Sequence, residues 1–205
     1  MTIGPYDFTV FNDSLVELTV ILSVTTDCPI FVGIFDGFSW IRCDGKGSFL
    51  NSPAVKAFGV ERISAGEKCL VVDLDACTGM DSTFMGTIAG LATRLSTQND
   101  GVLQIADAGE RNRHSLEDLG LDFLIQIKPE NPVWSGTTEL IRAALQKPQS
   151  ISPQNLIQKT MHVLEAHQTL SGTNEKNQQT FSTVVTLLES ELAAKQKLAE
   201  APEEK

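Results

Sequence analysis

Between residues 30 and 127, short apolar runs alternate with amphipathic ones. Residues 30–36 (Ile-Phe-Val-Gly-Ile-Phe-Asp) read as a strand, Asp36-Gly37 is a turn signal, and residues 38–43 alternate like a second strand. Asp44-Gly45-Lys46-Gly47 is a glycine-rich break. Asn51-Ser52-Pro53 then starts a helix, with Ser52 as cap and Pro53 at the first helical position. That helix carries Val55, Phe58 and Val60 and stops near Gly66. Residues 68–77 are dense in apolar side chains, as expected of one strand covered on both faces. After Met80-Asp81-Ser82-Thr83 comes an amphipathic helix carrying Phe84, Met85, Ile88, Leu91, Ala92 and Leu95, stopped by Asn99-Asp100-Gly101. Residues 102–106 form a strand, 110–119 a helix closed by Gly120, and 123–127 the last strand. Strands alternating with helices predict an α/β fold of right-handed βαβ units.

Beyond Pro129 the pattern changes. Pro132, Pro148 and Pro153 punctuate a connector with a short helix over 138–146, and a helical hairpin follows. Leu156, Ile157, Met161 and Leu164 share one face of its first helix. Ser171-Gly172-Thr173-Asn174 is the turn, and Phe181, Val184, Val185, Leu188 and Leu192 form the stripe of the second helix. The chain therefore divides into an N-terminal extension (1–28), an α/β domain (29–128) expected to fold alone, a linker (129–152), a hairpin (153–198) and a charged tail (199–205). Two helices make a thin core. The hairpin either docks on its own domain or meets a second copy, and we take the homodimer through these C-terminal helices as the expectation. The apolar run at 15–24 is interrupted by Glu17, has no basic residue before it and is too short to span a bilayer; it reads as an extra strand or a loose extension.

The formal net charge is −10, with a pI near 4.7. This argues against a nucleic-acid binder, which needs a basic face, and against anionic membrane surfaces or membrane insertion. Cys28, Cys43, Cys69 and Cys77 form no C-x-x-C pair and read as buried thiols of a cytoplasmic protein, not as a zinc site. Asp44–Ser48 lacks the spacing of a phosphate-binding loop, and there is no G-x-S-x-G elbow. His114, His162 and His167 are scattered; the last two are five apart, the wrong spacing for one helix face, and read as surface or boundary residues. Arg111, Arg113 and His114 read as a solvated helix face. No metal, cofactor or catalytic residue is implied.

The chemistry concentrates at Ser82. A strand breaking into a helix there puts a hydroxyl at a helix N-terminus, where amide N–H groups and the helix dipole favour negative charge. A phosphate on Ser82 is compatible with such a fold.

The layout resembles the STAS family (sulphate transporter and anti-sigma factor antagonist). The matching residues are Gly45 after the second strand, Asp73-Leu74 closing an apolar strand, Asp81-Ser82-Thr83 opening a helix, and Leu119-Gly120-Leu121-Asp122 before the last strand. The resemblance covers about residues 29–128. It implies a mixed β-sheet with helices mainly on one face, to which this chain adds a C-terminal α-helical hairpin. It also implies a non-enzymatic, cytoplasmic switch in transcription regulation. In anti-anti-sigma factors the matching serine is phosphorylated by a partner Ser/Thr kinase anti-sigma factor of the GHKL type. The unphosphorylated form binds that kinase, and a phosphatase reverses the modification. Carried over, Ser82 is the phosphoacceptor and Asp81, Thr83, Phe84 and Gly86 flank it. Phe84 stands where the family often has Gly and is expected to add bulk beside the acceptor. The layout also fits an accessory subunit of a lipid-transporter complex. A small hydrolase or nucleotide-using enzyme would need a nucleophile–base pair that the sequence does not supply.

Overall fold

The computed structural model describes residues 30–149 and 153–200, so the extension at 1–28 and the last five residues of the tail lie outside the described residues. Strands β1 (Ile30–Phe35) and β2 (Phe38–Cys43) form an antiparallel hairpin. Its turn needs Gly37, whose φ of 81° is poorly tolerated by a side-chain-bearing residue. β3 (Gly45–Gly47), β4 (Cys69–Asp73), β5 (Cys77–Met80), β6 (Val102–Ala106) and β7 (Ile125–Gln126) follow. The main sheet runs β1-β2-β4-β6-β7, with every pair after the first parallel, and β3 and β5 make a separate two-stranded parallel ladder.

Two expected strands are rearranged. Residues 68–77 are two strands in two sheets. At Asp73 the side chain accepts the Asp75 N–H (3.1 Å), the Cys77 N–H reaches back to the Leu74 carbonyl (3.0 Å), and this tight turn moves β5 off the main sheet. Residues 123–127 shrink to the two residues of β7, because Leu121–Phe123 wind into a 3-10 turn after Gly120.

Helices α1 (Ser52–Ser64), α2 (Ser82–Asn99) and α3 (Glu110–Asp118) cover one face of the sheet. Val55, Phe58, Ile63, Ile88, Leu91, Leu95 and Leu116 bury there against Ile41, Leu70, Val72, Leu103 and Ile105. The other face carries Phe38, Trp40, Val71 and Ala106, and is covered by Trp134 and by Ile141 of α4 (Thr138–Ala144). The stretch expected to be a linker is thus packed structure, and the Trp40 and Trp134 rings meet edge to face with centroids 5.3 Å apart.

The hairpin consists of α5 (Leu156–Ser171) and α6 (Glu175–Glu200), so the second helix runs into the stretch expected to be a tail. α5 packs on α2 of its own domain, and α6 packs on α5. The buried face of α5 is not the one its hydrophobicity predicts. Thr160, His162, Leu164, Ala166, His167 and Leu170 are buried, whereas Leu156 and Met161 are exposed. The surface that α5 meets explains this: it presents hydroxyls as well as methyl groups. On α6, Phe181, Val185, Leu188 and Leu192 are half-buried and Val184 is exposed. The thin-core argument for a second copy loses its basis, because the chain itself supplies the third surface.

Candidate functional site

Asp81 links three pieces of chain. Its N–H donates to the Gly47 carbonyl (3.0 Å), which joins the ends of β3 and β5. One carboxylate oxygen accepts the Phe84 N–H (2.8 Å), capping α2, and the other accepts the Phe49 N–H (2.9 Å), holding the loop before α1. The cap of α2 is therefore Asp81, and Ser82 is the first helical residue. The same offset occurs at α1, where Asn51 stands at the cap and Ser52 inside the helix.

Ser82 is partly exposed. Its Oγ lies 2.9 Å from His167 Nε2. The His167 Nδ1 lies 2.8 Å from the Val163 carbonyl, which can only accept. The Nδ1 of neutral His167 therefore carries the proton, Nε2 is the acceptor, and the Ser82 hydroxyl donates to it. The imidazole is buried and sits edge-on to Phe181, with centroids 5.6 Å apart. A second pair lies alongside: Ser52 Oγ is 2.7 Å from His162 Nε2. Burial, followed by the charge of Lys56, pushes the pKa of His162 down and favours its neutral form.

The two histidines read as surface or boundary residues are thus both buried and both face serines at helix starts. Five residues along a helix turn the direction by about 140°, so the pair can reach two neighbouring helices although it shares no single face. The apolar pattern of α5 carries no trace of this, because the signal lies in polar residues on its buried side.

The other predicted residues separate. Thr83 is buried. Phe84 is fully buried and packs over Gly47, where a Cβ would come within 2.7 Å of its ring. It fills the core beneath the site and adds no bulk beside the Ser82 hydroxyl, contrary to the expectation. Gly86 lies under α5: a Cβ there would meet the Ala166 carbonyl oxygen at 2.3 Å. In front of the site, Phe49 and Leu50 are 50% and 58% exposed. Farther off, Arg111 and His114 are exposed as a solvated helix face would be, whereas the Arg113 side chain is largely covered and bound by Glu110 (2.5 Å) and Glu117 (2.9 Å).

Cys43 and Cys77 are buried thiols and Cys69 is half-buried; Cys28 lies outside the described residues. Among the described residues, no three His, Cys, Asp or Glu side chains converge as metal ligands, and no helix is long and apolar enough to cross a membrane.

The family model for the STAS domain matches residues 32–132. Residues 32–132 are a STAS domain. The match spans the main sheet, the β3–β5 ladder and Asp81-Ser82. Among solved structures, the chain is similar to an anti-sigma factor antagonist from Mycobacterium paratuberculosis, at 21% identity and a TM-score of 0.44 over 55% of this chain and 92% of that one. It is also similar to the Bacillus cell fate determinant SpoIIAA in its phosphorylated form, at 16% identity and a TM-score of 0.43 over 56% of this chain and 98% of that one. No curated protein matches the chain.

Proposed function

We propose that this protein is a phosphorylation-controlled binding switch of the anti-anti-sigma type, not an enzyme, with Ser82 as phosphoacceptor and a GHKL-type Ser/Thr kinase anti-sigma factor as partner. The observation that carries this reading is the position of Ser82. It is the first residue of α2, partly exposed, and beside Asp81, which also holds the loop bearing exposed Phe49 and Leu50. An acceptor hydroxyl next to an apolar rim suits a protein partner better than a small substrate. In the transfer, the Ser82 Oγ–P bond forms as the bond from the γ-phosphorus of ATP to ADP breaks. The hydroxyl proton leaves to a base of the kinase. The product adds about −1.5 to −2 charges to that rim, and like-charge repulsion and desolvation cost oppose docking of an acidic or apolar partner.

The Ser82–His167 pair supports no hydrolase reading. It joins two packed helices, and the Phe84 N–H that could stabilise an oxyanion is taken by Asp81.

The experiment incubates the full chain with a GHKL-type anti-sigma kinase and ATP, followed by phosphopeptide mapping and a binding assay. Phosphate is expected on Ser82 and absent from Ser82→Ala. Ser82→Ala should bind the kinase and Ser82→Asp should not. Phosphate found only elsewhere, or undiminished binding by Ser82→Asp, refutes the reading.

A further inference from the structure

We infer that the C-terminal hairpin is a built-in occupant of the Ser82 face: α5 engages the Ser82 hydroxyl and must lift before that face meets another protein. The inference rests on the reading of Ser82 as an acceptor and adds to it a regulatory layer within the chain.

Three features carry it. First, the Ser82 proton is committed to His167, and the imidazole occupies the space into which a group on Oγ would extend on that side. Second, the contact is fitted along the helix. Gly86 brings α2 against the Ala166 carbonyl, and one turn on, Gly90 faces the Thr169 hydroxyl at 3.7 Å from an added Cβ. Third, the seam between α5 and the domain is largely polar. Beside the Gly86–Ala166 contact it holds the buried Ser52–His162 pair, the partly exposed Ser82–His167 pair and the exposed Lys56–Glu165 ion pair, while Leu170 and Phe181 join the hairpin to the main core. At the turn, the buried Asn177 donates to the Leu119 carbonyl (2.8 Å). A layer held at one end by apolar packing, and over Ser82 and Lys56 by polar contacts that water can reach, is suited to opening without loss of the sheet.

Gly86 supplies a test that does not require the kinase. A side chain there meets the α5 backbone first, and replacing an interior glycine favours α2 itself. Gly86→Val, with Gly86→Ala as the milder form, should displace the hairpin and leave the domain folded. The only two tryptophans, Trp40 and Trp134, lie on the opposite face of the sheet and report its integrity by their emission.

The probe is iodoacetamide reacting with a full chain carrying Ser82→Cys, read at residue 82 by mass spectrometry. Labelling should be at least about tenfold faster when Gly86→Val is added, which matches an opening of the kind that governs local exchange. Equal rates in two folded variants overturn the mask and leave the acceptor reading untouched. Faster labelling in the closed chain also overturns it, because His167 would then activate residue 82. Conversely, if labelling follows the expectation but the kinase and ATP place no phosphate on Ser82 of the Gly86→Val chain, the mask stands and the acceptor reading fails.

Discussion

Two pieces of the C-terminal half cover the STAS domain, and opposite chemistry holds them. The segment bearing Trp134 and α4 lies on one face of the sheet through aromatic and aliphatic packing. At its centre is the fully buried Asp73 carboxylate. It accepts from Arg142 Nε (2.8 Å) and Nη2 (3.0 Å), from Arg42 (2.8 Å) and more distantly from Trp40 Nε1 (3.3 Å). α5 lies over the helical layer through the buried Ser52–His162 pair, the partly exposed Ser82 hydroxyl on His167 and the exposed Lys56–Glu165 ion pair, so the ion pair on this side is open to water. Removing part of a buried ionic network leaves an uncompensated charge, whereas water can replace exposed polar contacts. The first cover is therefore part of the fold, and the second is a layer upon it.

The largest expected effect tests this directly. A chain ending at residue 128 lacks Trp134, Ile141 and Arg142, leaves Trp40 bare and removes the Arg142 bonds to Asp73. It should fail to give a cooperative thermal transition, against the independent folding expected from the strand–helix alternation. A chain ending at residue 149 retains all three and should unfold cooperatively. If the shorter chain melts as sharply as the longer, the distinction between the two covers is wrong.

Within the full chain, Trp134→Ala should cost about 3–5 kcal/mol by urea unfolding, in the range for truncating a large buried aromatic. His167→Ala should cost far less, because it removes a hydrogen bond with a partly exposed hydroxyl, worth about 1 kcal/mol, together with its packing on Phe181. Equal costs would erase the contrast.

A smaller effect is read from pH. Burial alone pushes the Asp73 pKa up. The bonds from Arg142, the Asp75 amide and Arg42 outweigh burial and hold it below the ordinary carboxylate value. A depressed folded pKa contributes stability that is fully present above the unfolded value of about 3.9. That contribution is lost as pH falls through the folded value. Stability should therefore decline on acidification below about pH 4. Asp73→Asn should be less stable at neutral pH, with a shallower acid limb. A parallel decline in both proteins would remove Asp73 from the account.

Much of this contrast was legible in the chain, and the parts that were not share a cause. β1, β2, β6, α2 and the Asp-Ser-Thr junction followed from apolar periodicity and local capping chemistry, which need no knowledge of distant residues. The short helix over 138–146 was read and is there as α4, but its packing on the sheet was not, because a single tryptophan has no period to read and the arginine that anchors the segment lies 69 residues from Asp73. The buried face of α5 was misplaced for a related reason. Its most apolar stripe is partly exposed, while its histidines are buried against serines 85 and 110 residues away. Polar complementarity between distant elements leaves no periodic mark on either one.

The smallest effect concerns Asp81, which lies beside the α5 cover but is held by its own local bonds. Its two carboxylate oxygens hold the Phe84 and Phe49 amides. Phe84 is buried, so its amide depends on the cap; Phe49 is exposed, so water can replace its bond. Asp81→Ala should therefore cost about 1 kcal/mol of global stability, the usual price of a lost helix N-cap. Asp81→Asn should recover most of that loss, because its side-chain oxygen can still accept the Phe84 N–H. Amide exchange should rise at Phe49 in Asp81→Ala and stay near wild type over residues 88–95, which are fixed by the core. If exchange rises equally along α2, Asp81 sets the stability of the whole helix, and the Ser82 face is less independent of the core than the contrast requires.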